Sequence, residues 1–313
     1  MEYRTLGQSG IRVSSISFGA GPISGLMVGN DHESQYDTVQ QALESGINWF
    51  DTAATYGNGQ SETALGSALQ TESSREYHIA TKVRLMPEQL DNIPQAVRES
   101  FEASLKRLGA SRVTLLQLHN SVTSERGDLP TSLTVRDVLG KEGVVTAFES
   151  LKAEGRVDAF GFTGLGEHRA VVDLVRSRVF TSAQVPLSLL TPVAGEDRSA
   201  GSIDVNYPQL VDECQANDVG VIAIRVFAGG ALSGQDPSPY TYRTKFFSLD
   251  LFRRDQQRVA QMLDSLPNGM SPAEATMRYV TSHSGVTTAL IGFASPTQIE
   301  QACSYAERGP LEH

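Results

Sequence analysis

A chain of 313 residues has room for two average domains or one β/α barrel, and 40% apolar with 20% charged residues supplies a large core. Thirty-six acidic against 26 basic side chains leave a net charge of −10, which disfavours nucleic acid and anionic membrane surfaces as partners. No apolar run is long enough to span a membrane, the first residues carry no export-like apolar stretch, and Cys214 and Cys303 suggest neither a disulfide framework nor a zinc site, so a reduced cytoplasmic protein is expected.

Met1 to Val13 alternates Tyr3, Leu6, Ile11 and Val13 around a Gly7–Gly10 tip, which predicts a hairpin plugging one end of the fold. Val13 to Phe18 reads as a strand that breaks into the glycine-rich Gly19–Gly25. Gln35 to Ser45 has helical spacing, and the apolar run from Ile47 to Phe50 stops at Asp51, with Tyr56 presented five residues later on a Gly57-Asn58-Gly59 loop. A helix over Ser61–Leu69, with Ser61 as its N-cap, precedes a strand from Tyr77 to Thr81 ending on Lys82. Ile93–Leu108 is amphipathic and stops at Gly109; the strand Val113–Leu118 ends on His119.

Asn120 to Gly143 reads as a long irregular binding loop over the strand ends. A helix near Val145–Glu154 and a strand Val157–Phe162 closing on Thr163 and Gly164 follow. The second half repeats the beat: a helix around Val171–Val175, a strand Ser182–Val185 carrying Gln184, a helix over Gln209–Asn217 and a strand Val219–Val226 entering a glycine-rich turn. A second insertion, rich in Pro, Tyr and Phe, runs from Gln235 to about Arg254, then helices over Val259–Leu266 and Pro272–Ser282, a strand Thr288–Ile291 and a helix from Pro296 to about Ala306. Eight strands alternating with helices predict one (β/α)8 TIM barrel domain over 1–313 with an N-terminal β-hairpin plug. A doubly wound sheet is the runner-up, weakened by the lack of GxGxxG after the first strand.

Such a barrel gathers the ends of its second, third and fourth strands at one mouth, so Asp51, Tyr56, Lys82 and His119 can share a pocket. Carbonyl reduction needs a hydride donor and a proton donor, and an ammonium beside a phenol lowers its pKa from about 10. Lys82 can be that cation with Asp51 holding it, His119 can orient the carbonyl oxygen, and Tyr56 can donate or remove the proton. Taken singly, an Asp at a strand end is often a helix cap, a Lys a solvated rim charge and a His a structural hydrogen-bonding group. Four different proton-active groups at one end of consecutive strands are harder to obtain by accident. Asp51 and His119 alone are too few ligands for a metal-dependent sugar isomerase, and no metal is expected.

The segments YRTLGQSGIRVSSISFGAG, FDTAATYGNGQSE, ATKV, LLQLHN, GFTGLG, AQVPLSLL and LIGFASPTQIEQ, in that order, resemble the aldo-keto reductase family over nearly the whole chain. The resemblance implies a tetrad of Asp51, Tyr56, Lys82 and His119 and a nicotinamide cofactor. It places that cofactor against Gly19, Thr163, Gly164 and Gln184, along Arg225, Phe227, Gly230 and Leu232, and at Gly292, Ala294, Ser295 and Gln298. Where many members carry Ser-Asn, this chain has Thr163-Gly164. Where NADP-preferring members often carry Lys or Arg, it has Ala294, which favours NAD slightly over NADP. LLQLHNSV, DVLGKEGVV and FTGLG are similar to a subgroup of aldose dehydrogenases, implying a small carbonyl or sugar substrate. A broad NADPH-dependent carbonyl reductase, or a cofactor-binding regulatory subunit of the channel β-subunit type, stands as the alternative, and the sequence is silent on oligomeric state.

Overall fold

Eight parallel strands close on themselves in the computed structural model, which describes residues 1–70, 75–191, 205–244, 248–267 and 269–311. Before them the chain folds back as an antiparallel pair, β1 (Tyr3–Thr5) and β2 (Arg12–Ser14), with Tyr3 opposite Ser14. The first barrel strands and their helices are β3 (Ile16–Gly19), α1 (His32–Glu44), β4 (Trp49–Asp51), α2 (Gln60–Gln70), β5 (His78–Val83), α3 (Ile93–Leu108) and β6 (Val113–Leu118). A two-stranded parallel excursion, β7 (Val122–Thr123) and β8 (Leu133–Thr134), and a short helix α4 (Val135–Leu139) then lead into α5 (Val144–Ala153). The remainder is β9 (Val157–Thr163), α6 (His168–Arg176), β10 (Ser182–Pro186), α7 (Tyr207–Ala216), β11 (Gly220–Ile224), α8 (Leu249–Met262), α9 (Pro272–Ser282), β12 (Val286–Ile291) and α10 (Pro296–Glu307). Around the barrel the order is β3, β4, β5, β6, β9, β10, β11, β12, and Ala289 pairing with Ile16 closes it. The (β/α)8 barrel with its hairpin is therefore as the sequence predicts.

The hairpin is a plug because of where its apolar side chains go. Leu6 and Val13 pack with Trp49, Ala80, Leu115, Ala159 and Ile222, the inward residues at the N-terminal ends of five barrel strands, in a cluster separate from the main core between strands and helices. Gly7 is required at the tip: its φ is +50°, and a Cβ there would stand 2.4 Å from the Thr181 carbonyl oxygen.

Three expectations are corrected. Asn120 to Gly143 is not irregular throughout: Val122 pairs with Leu133, and α4 opens with a capping box of Thr134 and Asp137 that Arg126 also grips. Strands of two residues and a helix of five carry no readable period. Ser61 is not an N-cap but lies inside α2, its hydroxyl donating to the Ala20 carbonyl at 2.7 Å and paired with Thr52 Oγ1 at 2.8 Å. The second insertion is shorter than expected, because α8 begins at Leu249, capped by Ser248, and buries Leu251 and Phe252. The charged run around Arg253 hides that apolar face in the sequence, and residues 245–247 of the insertion lie outside the described ones.

Candidate active site

Side chains on a strand alternate between faces, so every second residue of a barrel strand enters the lumen. Above the plug layer, the next inward residues are Asp51 over Trp49, Lys82 over Ala80, Gln117 over Leu115 and Thr163 two steps above Ala159. Gln184 enters from β10. These positions carry the polar groups of the mouth.

Asp51 is 1% exposed and every acceptor it has is used. One carboxylate oxygen receives Lys82 Nζ in a buried ion pair; the other accepts Gln117 Nε2 and Gln184 Nε2, each at 2.8 Å. Lys82, also 1% exposed, spends its three N–H donors on Asp51, on the Thr52 carbonyl at 2.8 Å and on the Tyr56 hydroxyl at 3.4 Å. Since Lys82 donates to the phenol oxygen, the Tyr56 O–H proton is left to point elsewhere. Lys82 Nζ also lies 4.9 Å from the Tyr56 ring centroid, and the His119 ring stands edge-on to Tyr56 with centroids 5.6 Å apart. His119 Nδ1 is 3.4 Å from Thr55 Oγ1.

Tyr56 is held by a turn that the local sequence makes possible. Gly57, Asn58 and Gly59 all take positive φ, of 56°, 52° and 92°, and Asn is among the few other residues that adopt this region at modest cost. Glu62, fully buried, then accepts Thr81 Oγ1 at 2.5 Å and Arg107 Nε at 2.6 Å, fastening the start of α2 to the strand bearing Lys82. The loop after β3 covers the phenol, with Gly21 against the Tyr56 ring.

Burial raises the Asp51 pKa above the ordinary carboxylate value against the pull of Lys82 and the two amides. Lys82 goes up too: burial opposes its charge, but Asp51 and the phenol beside it outweigh that cost. The Tyr56 phenol is not lowered, contrary to the sequence-based expectation. Burial raises it, and the cation of Lys82 offsets this only in part, with Asp51 adding to the rise. Burial, then the charges of Arg84 and Lys82, hold His119 well below its usual value, so near neutral pH it is an uncharged hydrogen-bonding group.

The other candidates distribute around the rim. Gly19 ends β3 against the main chain of Ile291, and Gly292 lies just above it. Thr163, 3% exposed, ends β9 with a buried hydroxyl that has no partner. Gly164 packs where a Cβ would stand 3.0 Å from the Gln184 carbonyl, and Gln184 itself is tied to Asp51. Arg225 takes φ +61° as β11 leaves the barrel, a strained conformation for a non-glycine residue. Phe227 begins the turn that includes Gly230, and Leu232 buries its side chain against Phe252. Ala294 N–H donates to Gln298 Oε1 at 2.8 Å across the start of α10, where Ser295 is the N-cap residue without a capping bond. The segments after β11 and β12 face β5 and β6 across the barrel order.

Four residues of the mouth were not anticipated. Gln117 and Arg84 share the inward phase of His119 and Lys82, so strand parity carried a signal for both. Glu62 follows Ser61 in the quoted motif, and the buried, unpartnered Ser24 hydroxyl near Gly292 had none. Among the described residues no group of three His, Cys, Asp or Glu side chains could hold a metal ion, and no helix is long and apolar enough to cross a membrane.

A closed parallel barrel with buried Asp and Lys and half-buried Tyr and His at its C-terminal mouth defines a class of oxidoreductase. The chain belongs to the Aldo/keto reductase family, whose model matches residues 15–313. Over 96% of its length it is 29% identical to L-galactose dehydrogenase of Arabidopsis thaliana, covering 86% of that protein. It is 26% identical to D-threo-aldose 1-dehydrogenase of Pseudomonas sp, over 95% of this chain and 91% of the relative. The solved aldo-keto reductase AKR11C1 from Bacillus halodurans, in its holo form, superposes with a TM-score of 0.74 at 25% identity, covering 100% of this chain and 93% of that one. Aldo-keto reductases use NAD(P)H.

Proposed function

We propose that this enzyme transfers a hydride between a nicotinamide cofactor and the carbonyl or alcohol carbon of an aldose or other small aldehyde, with Tyr56 moving the proton. The observation that carries this reading is the direction of one hydrogen bond: Lys82 donates to the Tyr56 oxygen, leaving the phenol proton for a substrate oxygen. A bound nicotinamide supplies or accepts the hydride. The chain's own residues do the rest. Neutral His119 hydrogen-bonds the carbonyl oxygen, Lys82 stabilises developing charge on the phenol, and Asp51, saturated by Lys82, Gln117 and Gln184, holds the ammonium in place.

The unpartnered Thr163 hydroxyl and the Gln184 amide fit a carboxamide, the Arg225–Leu232 turn with Gly19 fits a ring and pyrophosphate, and Gly292, Ala294, Ser295 and Gln298 at the start of α10 fit the nucleotide end. Ala294 brings no cation for a 2′-phosphate, which supports NAD, and the names of the two relatives support an aldose as substrate. One observation favours a second reading. The solved structure this chain matches at 25% identity is named an aldo-keto reductase, which supports an NADPH-dependent carbonyl reductase.

Titration with NADH and with NADPH, followed by quenching of Trp49, tests the reading. Trp49 is the single tryptophan and lies one inward step below Asp51. Tighter NADH, with oxidation of aldoses, is the expected result. Tighter NADPH with reduction only moves the assignment to the second reading, and binding of neither overturns both.

A further inference from the structure

The mouth holds a cation, Arg84, that the tetrad does not use. Arg84 lies two residues beyond Lys82, in the same inward phase, and its guanidinium is partly buried. Its Nη2 donates to the His119 carbonyl at 3.3 Å, while its buried Nε has no hydrogen-bond partner. Among the described residues no carboxylate lies within ion-pairing distance of it. The two nearest charges cancel, because Lys82 is neutralised by Asp51. Tyr56 and Tyr240 lie within electrostatic reach of the guanidinium, which brings the second insertion to the same place.

A partly desolvated guanidinium with an idle N–H is costly unless an anion completes it. The cofactor segments after β11 and β12 sit across the barrel from β5, so the phosphates they would hold are not that anion. What does enter beside Tyr56 and His119 is the carbonyl substrate. We propose that Arg84 binds a carboxylate carried by the substrate, so that among the aldehydes and sugars the enzyme turns over, those bearing a carboxylate are preferred to their neutral counterparts. The inference rests on the oxidoreductase reading above. Nη1 and the second N–H of Nη2 make charge-assisted bonds to the carboxylate while the first N–H of Nη2 stays on the His119 main chain, fixing the carbonyl at Tyr56.

The test compares succinic semialdehyde with its methyl ester, which removes the charge and keeps the aldehyde, on the wild type, Arg84→Met and Arg84→Lys. The wild type is expected to prefer the acid in kcat/KM by about tenfold or more. Arg84→Met should erase that preference, the acid losing at least about fivefold more than the ester and the difference lying in KM, with cofactor affinity unchanged. Arg84→Lys, which keeps a point charge, should retain part of it. Equal turnover of acid and ester by the wild type, turnover of neither with cofactor bound, or an equal fall on both in Arg84→Met overturns the proposal; the last would make Arg84 a positioning residue acting through His119. Cofactor titrations on the same samples separate the two readings. Cofactor binding without acid preference sinks only this proposal, whereas no cofactor binding sinks the oxidoreductase reading and this one with it.

Discussion

The two ends of the barrel are built from the same strands and do opposite work. At the N-terminal end the inward residues are Trp49, Ala80, Leu115 and Ala159, sealed by Leu6 and Val13; one step up they are Asp51, Lys82 and Gln117, with Thr163 two steps above Ala159. The lower layer is mostly apolar, with the Ser17 and Thr288 hydroxyls paired to each other, and the Trp49 indole N–H is buried without a partner. The upper layer pairs its two fully buried charges, Asp51 and Lys82, with each other. Two residues along a strand, about 7 Å, therefore separate a layer that stabilises from the layer proposed to react.

If that division holds, substitutions in one layer should leave the other's measurement untouched. The largest effect is expected from Tyr56→Phe, which removes the proposed proton donor but keeps the ring against Gly21 and His119. Turnover should fall by about a thousandfold or more, with nicotinamide affinity and melting temperature nearly unchanged. Retained activity would take the proton transfer away from Tyr56. Next comes Leu6→Ala in the plug, expected to cost about 3 kcal/mol in denaturant unfolding while kcat of the folded enzyme stays the same. A loss of kcat at full folding would show that the two layers are mechanically linked.

The smallest effect sharpens the division from the other side, since a mouth residue should carry a modest stability cost of its own. The His119 pKa is depressed in the folded state, so below about pH 6.5 the unfolded chain takes up the proton first. Stability associated with His119 is thus present above that pH and lost as pH falls through it, at no more than about 1.4 kcal/mol per unit. His119→Asn should flatten that part of the melting-temperature profile. An unchanged slope would mean that His119 is charged in the folded enzyme.

Much of this division could be read from residue order alone. α3 and β6 fall where the pattern puts them, since sixteen amphipathic residues stopping at a left-handed Gly109 and an unbroken apolar run leave few alternatives. The tetrad was legible because each member stands at or just beyond the end of a strand. Gln117 was legible only through its parity with His119 two residues on, because a glutamine inside an apolar strand signals only when the phase is known. Tyr56 shows a different limit. The sequence suggests the ammonium beside the phenol, yet the sign of the pKa shift follows from how much water the loop at Gly21 and the lumen exclude, which only packing reveals.

The seam between β12 and β3 has a consequence for how the protein is made. Ile16 pairs with Ala289, and the Arg4 guanidinium donates to the Val286 carbonyl at 2.9 Å, a partner 282 positions later in the chain. At a ribosomal rate of roughly 5–20 residues per second, the first strand waits some tens of seconds, roughly, for its last neighbour. During that interval β3 is an open sheet edge and the plug's Leu6 has only part of its seat, so the nascent chain is most exposed to mispairing and to chaperones just before the final strand is released.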